Sequence, residues 1–76
     1  MNKARRAILN KIINALTDLK DELETVKDDE EEAMDNMPES LQESERYEQM
    51  EDTVGNMDDA YGSIEDAIDS LESAME

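Results

Sequence analysis

Asp35-Asn36-Met37-Pro38-Glu39-Ser40 separates two runs of heptad-spaced apolar residues, and that separation decides the fold. Pro38 has no N–H to donate and pushes Met37 out of the α region, so one helix cannot run through the segment. Before it, Leu9, Ile12, Leu16, Leu19, Leu23 and Val26 follow one another at alternating steps of three and four, and the phase continues through Glu30, Ala33 and Met37. After it, Tyr47, Met50, Val54, Met57, Tyr61, Ile64, Ile68, Leu71 and Met75 keep the same rhythm. This spacing is the a/d seam of a coiled coil. Ser40-Leu41-Gln42-Glu43 reads as a capping box that opens the second helix. The expected fold is all-α: an antiparallel two-helix coiled-coil hairpin over 1–76, with a helix at 2–35, a hinge at 36–39 and a helix at 40–75.

The two runs also predict a register. Facing residues of an antiparallel pair have a constant index sum, and a sum of about 80 gives every seam position a seam partner. It sets Val26 against Val54, Leu19 against Tyr61, Leu16 against Ile64 and Ile12 against Ile68. One flank then offers ion pairs: Arg6 with Glu72, Lys20 with Asp58 and Lys27 with Glu51. Such exposed pairs contribute about 0.2–1 kcal/mol each, enough to favour a register but little stability. The opposite flank is apolar toward the open end, where Ala4, Ile8, Ala15, Ala60, Ala67 and Ala74 gather, with Ile13 offering a second contact. A lone hairpin buries only one stripe per helix. The spare face, with Ile8, Ala15, Ala60, Ala67 and Ala74 at its centre, predicts a homodimer packed as a four-helix bundle.

Composition narrows the function. The chain has 76 residues, 23 acids, 7 bases, a net charge of −16, and no Cys, His, Trp or Phe. Without Cys there is no disulfide, thiolate nucleophile or Zn–thiolate site. Without His the commonest general base and metal ligand is missing. A chain this short has little room for a substrate pocket beside its own core. A non-enzymatic protein that needs no cofactor is therefore expected. Asn10, Lys11 and Asn14 interrupt the apolar start, no small-residue cleavage site follows, and no run approaches the length of a membrane span. The expected location is the cytoplasm, without membrane attachment.

The layout resembles a group of short acidic hairpin proteins encoded in phages and mobile elements of Gram-positive bacteria. The residues that carry the resemblance are Asp35-Asn36-Met37-Pro38-Glu39-Ser40-Leu41-Gln42 and Ser44-Glu45-Arg46-Tyr47. It implies a context and no activity.

The charge is segregated along the chain. Lys3, Arg5, Arg6, Lys11 and Lys20 precede residue 21, together with Asp18 as the sole acid; Lys27 and Arg46 are the only bases after it. Asp28-Asp29-Glu30-Glu31-Glu32 is the densest run. It lacks the alternating loop, central Gly and terminal bidentate Glu of a calcium loop. A solvated, self-repelling segment is the plain reading, and a charged Glu30 on the seam is expected to fix register at a cost in stability. Carboxylate pairs for glycoside chemistry need a cleft that a two-helix rod lacks. Met34 and Met37 with Leu41 and Tyr47 either plug the loop end or form an apolar patch there. Gly55 and Gly62, one heptad apart, each cost a helix about 1 kcal/mol, so they mark either a close backbone approach or a neutral solvated face. The basic amphipathic start could touch a membrane, but pairing with the second helix is simpler.

Charge density gives the leading function. A helix of this length spans about 50 Å, over which a duplex carries about 30 phosphates. All but one of the 23 acids lie after residue 20, on a rod of similar length. A nucleic-acid mimic that blocks a basic, nucleic-acid-binding protein is expected, such as a phage-targeted nuclease or defence complex, in the manner of an anti-CRISPR inhibitor. The chain would not bind nucleic acid itself. Its partner-binding acids are those outside the seam and the ion-paired flank: Asp28, Asp29, Glu31, Glu32, Glu48, Asp52, Asp59 and Asp66. The alternative is a structural coiled-coil module for assembly or oligomerisation, whose acidity only confers solubility.

Overall fold

The computed structural model describes residues 1–76. Helix α1 runs over Lys3–Asp35 and helix α2 over Glu45–Ala74, joined through a single 3-10 turn at Glu39–Leu41. The two helices pack antiparallel into a rod with extents of 59 × 15 × 12 Å. The all-α two-helix hairpin expected from the heptads is therefore what forms.

Each helix begins with a side-chain cap. The Asn2 side chain accepts a hydrogen bond from the Arg5 backbone N–H at 2.8 Å. Ser44, rather than Ser40, caps α2: its hydroxyl oxygen accepts from the Tyr47 N–H at 3.3 Å. Ser40 lies inside the 3-10 turn, which the Leu41 N–H closes onto the Pro38 carbonyl at 2.8 Å. The Gln42 side chain donates to the Met37 carbonyl at 3.2 Å and braces the link from within. Both serines offer a cap and an acid three residues later does not follow Ser44, so the box motif pointed to the wrong serine.

The covered face of α2 is the expected one. Tyr47, Met50, Val54, Met57, Tyr61, Ile64, Leu71 and Met75 are half-buried and Ile68 is buried. On α1 the face is rotated by about one residue. Leu9, Leu16, Leu23, Glu30 and Met37 are covered as expected, but they alternate with Ile13, Lys20, Lys27 and Met34. Ile13 and Met34 are each only 8% exposed, whereas Ile12 is 41%, Leu19 54% and Val26 55% exposed. Ile12, Leu19, Val26 and Ala33 thus leave the seam and face solvent. Ile13, expected on an outer flank, belongs to the core.

The register changes with the rotation. An index sum of about 84 now pairs every covered α1 position with a covered α2 position: Leu16 with Ile68, Leu23 with Tyr61, Lys27 with Met57 and Met34 with Met50. The expected sum presumes a hinge confined to 36–39. The actual link runs from 36 to 44, rises past the end of α1, and starts α2 about one turn higher. Met37 and Tyr47 then share the loop end of the seam, half-buried beside the buried Met34, while Leu41 stays 48% exposed. The methionines plug the seam there, and Leu41 does not join them.

Only Ile13, Met34 and Ile68 are buried. A core this small leaves stability sensitive to single side chains. Ile13→Ala should lower the unfolding free energy by about 2 kcal/mol in urea titration. Ile12→Ala, one residue away, should change it by less than about 0.5 kcal/mol in dilute solution. Equal losses would contradict the rotated face.

Candidate acidic interaction surface

Two lysines occupy seam positions of α1, and their chemistry organises the acids around them. A lysine can lie along an apolar surface with its stem and keep its ammonium at the edge. Lys20 and Lys27 do this on either side of Tyr61, with Nζ at 5.4 Å and 5.9 Å from the ring centroid. Both distances are within reach of the attraction between a cation and an aromatic face. Lys27 also donates to Asp58 Oδ1 at 2.8 Å, the single salt bridge of the hairpin. That hydrogen bond to Asp58 raises the Lys27 pKa above its ordinary 10.5, against the opposing effect of desolvation. The negative charges of Asp58, Glu31 and Asp28 act in the same upward direction.

The expected flank pairs are therefore replaced. Lys27 meets Asp58 in place of Glu51, and Lys20 meets the ring of Tyr61 in place of Asp58. Arg6 does not reach Glu72. The shift of α2 by about four residues moves each intended acid out of reach of its lysine. Glu51 and Glu72, read from the sequence as neutralised, have no cation within salt-bridge distance. They join the available carboxylates, a role that pairing at the lower index sum concealed.

The acids chosen from the sequence divide into three places. Asp52, Asp59 and Asp66 recur at heptad spacing along the exposed face of α2, about 10.5 Å apart at 1.5 Å per residue. Asp28, Asp29 and Glu32 are exposed on α1 near the link, and Glu48 is exposed on the first turn of α2. Glu31 is half-buried, and it lines an open groove with Met34, Asp35, Glu51 and Val54. The hairpin brings Glu31 and Glu51 to this shared groove, which none of the other acids expected to bind a partner lines. No group of three or more acids is arranged so that it could hold a metal ion. No helix is long and apolar enough to cross a membrane.

On the opposite flank the expected open-end face is exposed: Ile8, Ala15, Ala60, Ala67 and Ala74 all lie at the surface. The rotation of α1 adds Ile12, Leu19 and Val26 to it, in place of the seam positions that heptad spacing assigns them. The rod is thus apolar along one flank, with acids over most of its remaining surface and the exposed bases Lys3, Arg5, Arg6 and Lys11 at its open end. Gly55 and Gly62 are not packed against the rest of the hairpin: a Cβ at either would meet nothing within 4 Å.

Two outcomes follow from these contacts. Because the folded pKa of Lys27 is raised, its contribution to stability is complete below the ordinary value of 10.5 and is lost as pH rises through the elevated value. The stability difference between the chain and Lys27→Met, measured in urea, should be constant below that range and shrink above it. Gly55→Ala and Gly62→Ala should each stabilise the hairpin by up to about 1 kcal/mol, because neither helix position is crowded. Destabilisation by either would reveal a backbone packed against that face.

No family model, curated protein or solved structure matches the chain.

Proposed function

We propose that this chain is a non-enzymatic acidic interaction protein that mimics nucleic acid and occupies the basic groove of a nucleic-acid-binding protein. The observation that carries this reading is the supply of unpaired carboxylates along a 59 Å rod, with 23 acids and one salt bridge. A surface of this kind steers toward a basic groove and is weakened by salt. The partner class is a nuclease or defence complex, in keeping with the phage context that the resemblance implies. In the same proposal the hairpin is a homodimer packed as a four-helix bundle, with the open-end face of Ile8, Ala15, Ala60, Ala67 and Ala74 at the contact. Dimerisation would double the acidic surface.

A second reading has its own support. Ile8, Ile12, Leu19 and Val26 are between 41% and 58% exposed on one helix, more apolar surface than a solvated rod requires. A structural module for coiled-coil assembly would use that face and leave the acids as a solubilising coat.

The two readings part on the acids. The combined variant Asp28→Asn, Glu31→Gln and Glu32→Gln should keep the helical content of the hairpin. In competition against duplex DNA for a panel of basic nucleases, the unmodified chain should displace the DNA from at least one. The amide variant should do so several-fold less well and with a shallower salt dependence. Equal displacement and an equal salt slope for both proteins would exclude mimicry through this cluster.

A further inference from the structure

The outer face of α1 carries a second seam. Ile8, Ile12, Ala15, Leu19, Glu22 and Val26 follow at steps of four, three, four, three and four, and all six are exposed. The order of steps reads the same in both directions about Thr17. A stripe with that symmetry is complementary to itself when two copies run antiparallel.

We propose that a second copy of this chain covers this stripe, α1 against α1 and antiparallel, about a two-fold axis at the level of Thr17, which itself lies on the opposite face of α1. The inference rests on the dimer of the preceding section and assigns its helix, orientation and register. Levels then have an index sum of about 34. Ile8 meets Val26 of the second copy, and Ala15 meets its Leu19. Ile12 lies level with Glu22 of the second copy, where Lys11 is one residue away to receive the carboxylate. One layer further out, Arg5 meets Asp29 of the second copy. The two-fold axis repeats each contact.

Three observations favour this occupant. The first is charge. The first turn of α1 holds no acid and its last turn no base, the reverse of what the helix dipole favours. Lys3, Arg5, Arg6 and Lys11 also have no carboxylate within salt-bridge distance in the hairpin. An antiparallel copy brings the basic end of each α1 beside the acidic end of the other. A parallel copy would set Arg5 on Arg5 and Asp29 on Asp29. Asp18, near the axis, is the unfavourable contact of the antiparallel arrangement.

The second observation is α2. In the hairpin register the residue level with Thr17 is Ala67. The exposed residues Ala60, Ala67 and Ala74 lie on the same flank and are centred on that level. A single two-fold axis therefore passes through the centre of both stripes, and the alanines leave room for the α2 helices to approach each other. The third observation is size. With the axis at residue 17 the two α1 helices overlap over residues 3–31, about 42 Å at 1.5 Å per residue. A face 12 to 15 Å wide then offers roughly 500 to 630 Å² per partner, the low end of a standard interface. The groove formed by Met1, Arg5, Ile8 and Leu9 lies at one end of this face and would receive the acidic end of the second α1.

Ala15→Cys and Leu19→Cys alter exposed positions, so each variant should retain the hairpin. Equal amounts of the two should be mixed and oxidised, with sedimentation equilibrium of the unmodified chain at about 1 to 100 µM. The expected result is a dimer whose mixed disulfide, 15 to 19, exceeds either self-linked product by about tenfold. Arg5→Glu should weaken association several-fold, and adding Asp29→Arg should restore it. Self-linked products in the majority would overturn the antiparallel register while leaving a dimer. A dimer with no preferred cross-link and no charge-swap rescue would place the contact on another face and overturn this inference. A monomer throughout would overturn both this interface and the dimer on which it rests.

Discussion

Lys20 and Lys27 pack around Tyr61 where the two helices meet. Tyr61 is half-buried between the lysine stems, and Lys27 is held at its outer edge by Asp58. Each interaction alone is small. Together they favour placing lysines at two seam positions of α1, and that choice turns Ile13 and Met34 inward. Ile12, Leu19 and Val26 then point outward, because residues one apart on a helix lie about 100° apart. The exposed apolar flank is a direct consequence of the seam that the hairpin selects.

The same rotation redistributes charge. In the expected register three bases are spent on three acids of α2, whereas in the structure one is. The rod keeps nearly all its negative field, and its basic end stays unsatisfied. A charge pattern that opposes the dipole of its own helix is costly within one hairpin. The antiparallel α2 already sets acids beside that basic end, and a second copy running the other way would add the acidic end of its own α1. The two features proposed to carry function, an acidic coat and an apolar flank, therefore arise from one geometric choice.

The sequence was informative where only one apolar stripe existed. Every expected seam position of α2, from Tyr47 to Met75, is covered, because α2 offers no competing stripe of large apolar residues. Helix α1 offers two. Leu9, Leu16 and Leu23 belong to the inner stripe in either reading, but Ile12 and Ile13 are adjacent and equally apolar. A hydropathy pattern favours Leu19 and Val26 over Lys20 and Lys27, although a lysine stem can cover apolar surface as well. The link is ambiguous in the sequence for a local reason: Ser40 and Ser44 can each cap a helix, and the choice between them moves α2 by about one turn. Of the acids outside the seam, all those expected to bind a partner are exposed except Glu31. The freedom of Glu51 and Glu72 depended on a register that spacing alone does not decide.

Helix α1 presents Leu16, not Ile12, to Ile68, and intramolecular methyl NOEs on the isotopically labelled chain report that packing. Strong cross-peaks are expected between the methyl groups of Leu16 and Ile68 and between those of Leu9 and Met75, with none between Ile12 and Ile68. Cross-peaks from Ile12 to Ile68 and from Leu19 to the ring of Tyr61, with Leu16 to Ile68 missing, would contradict it.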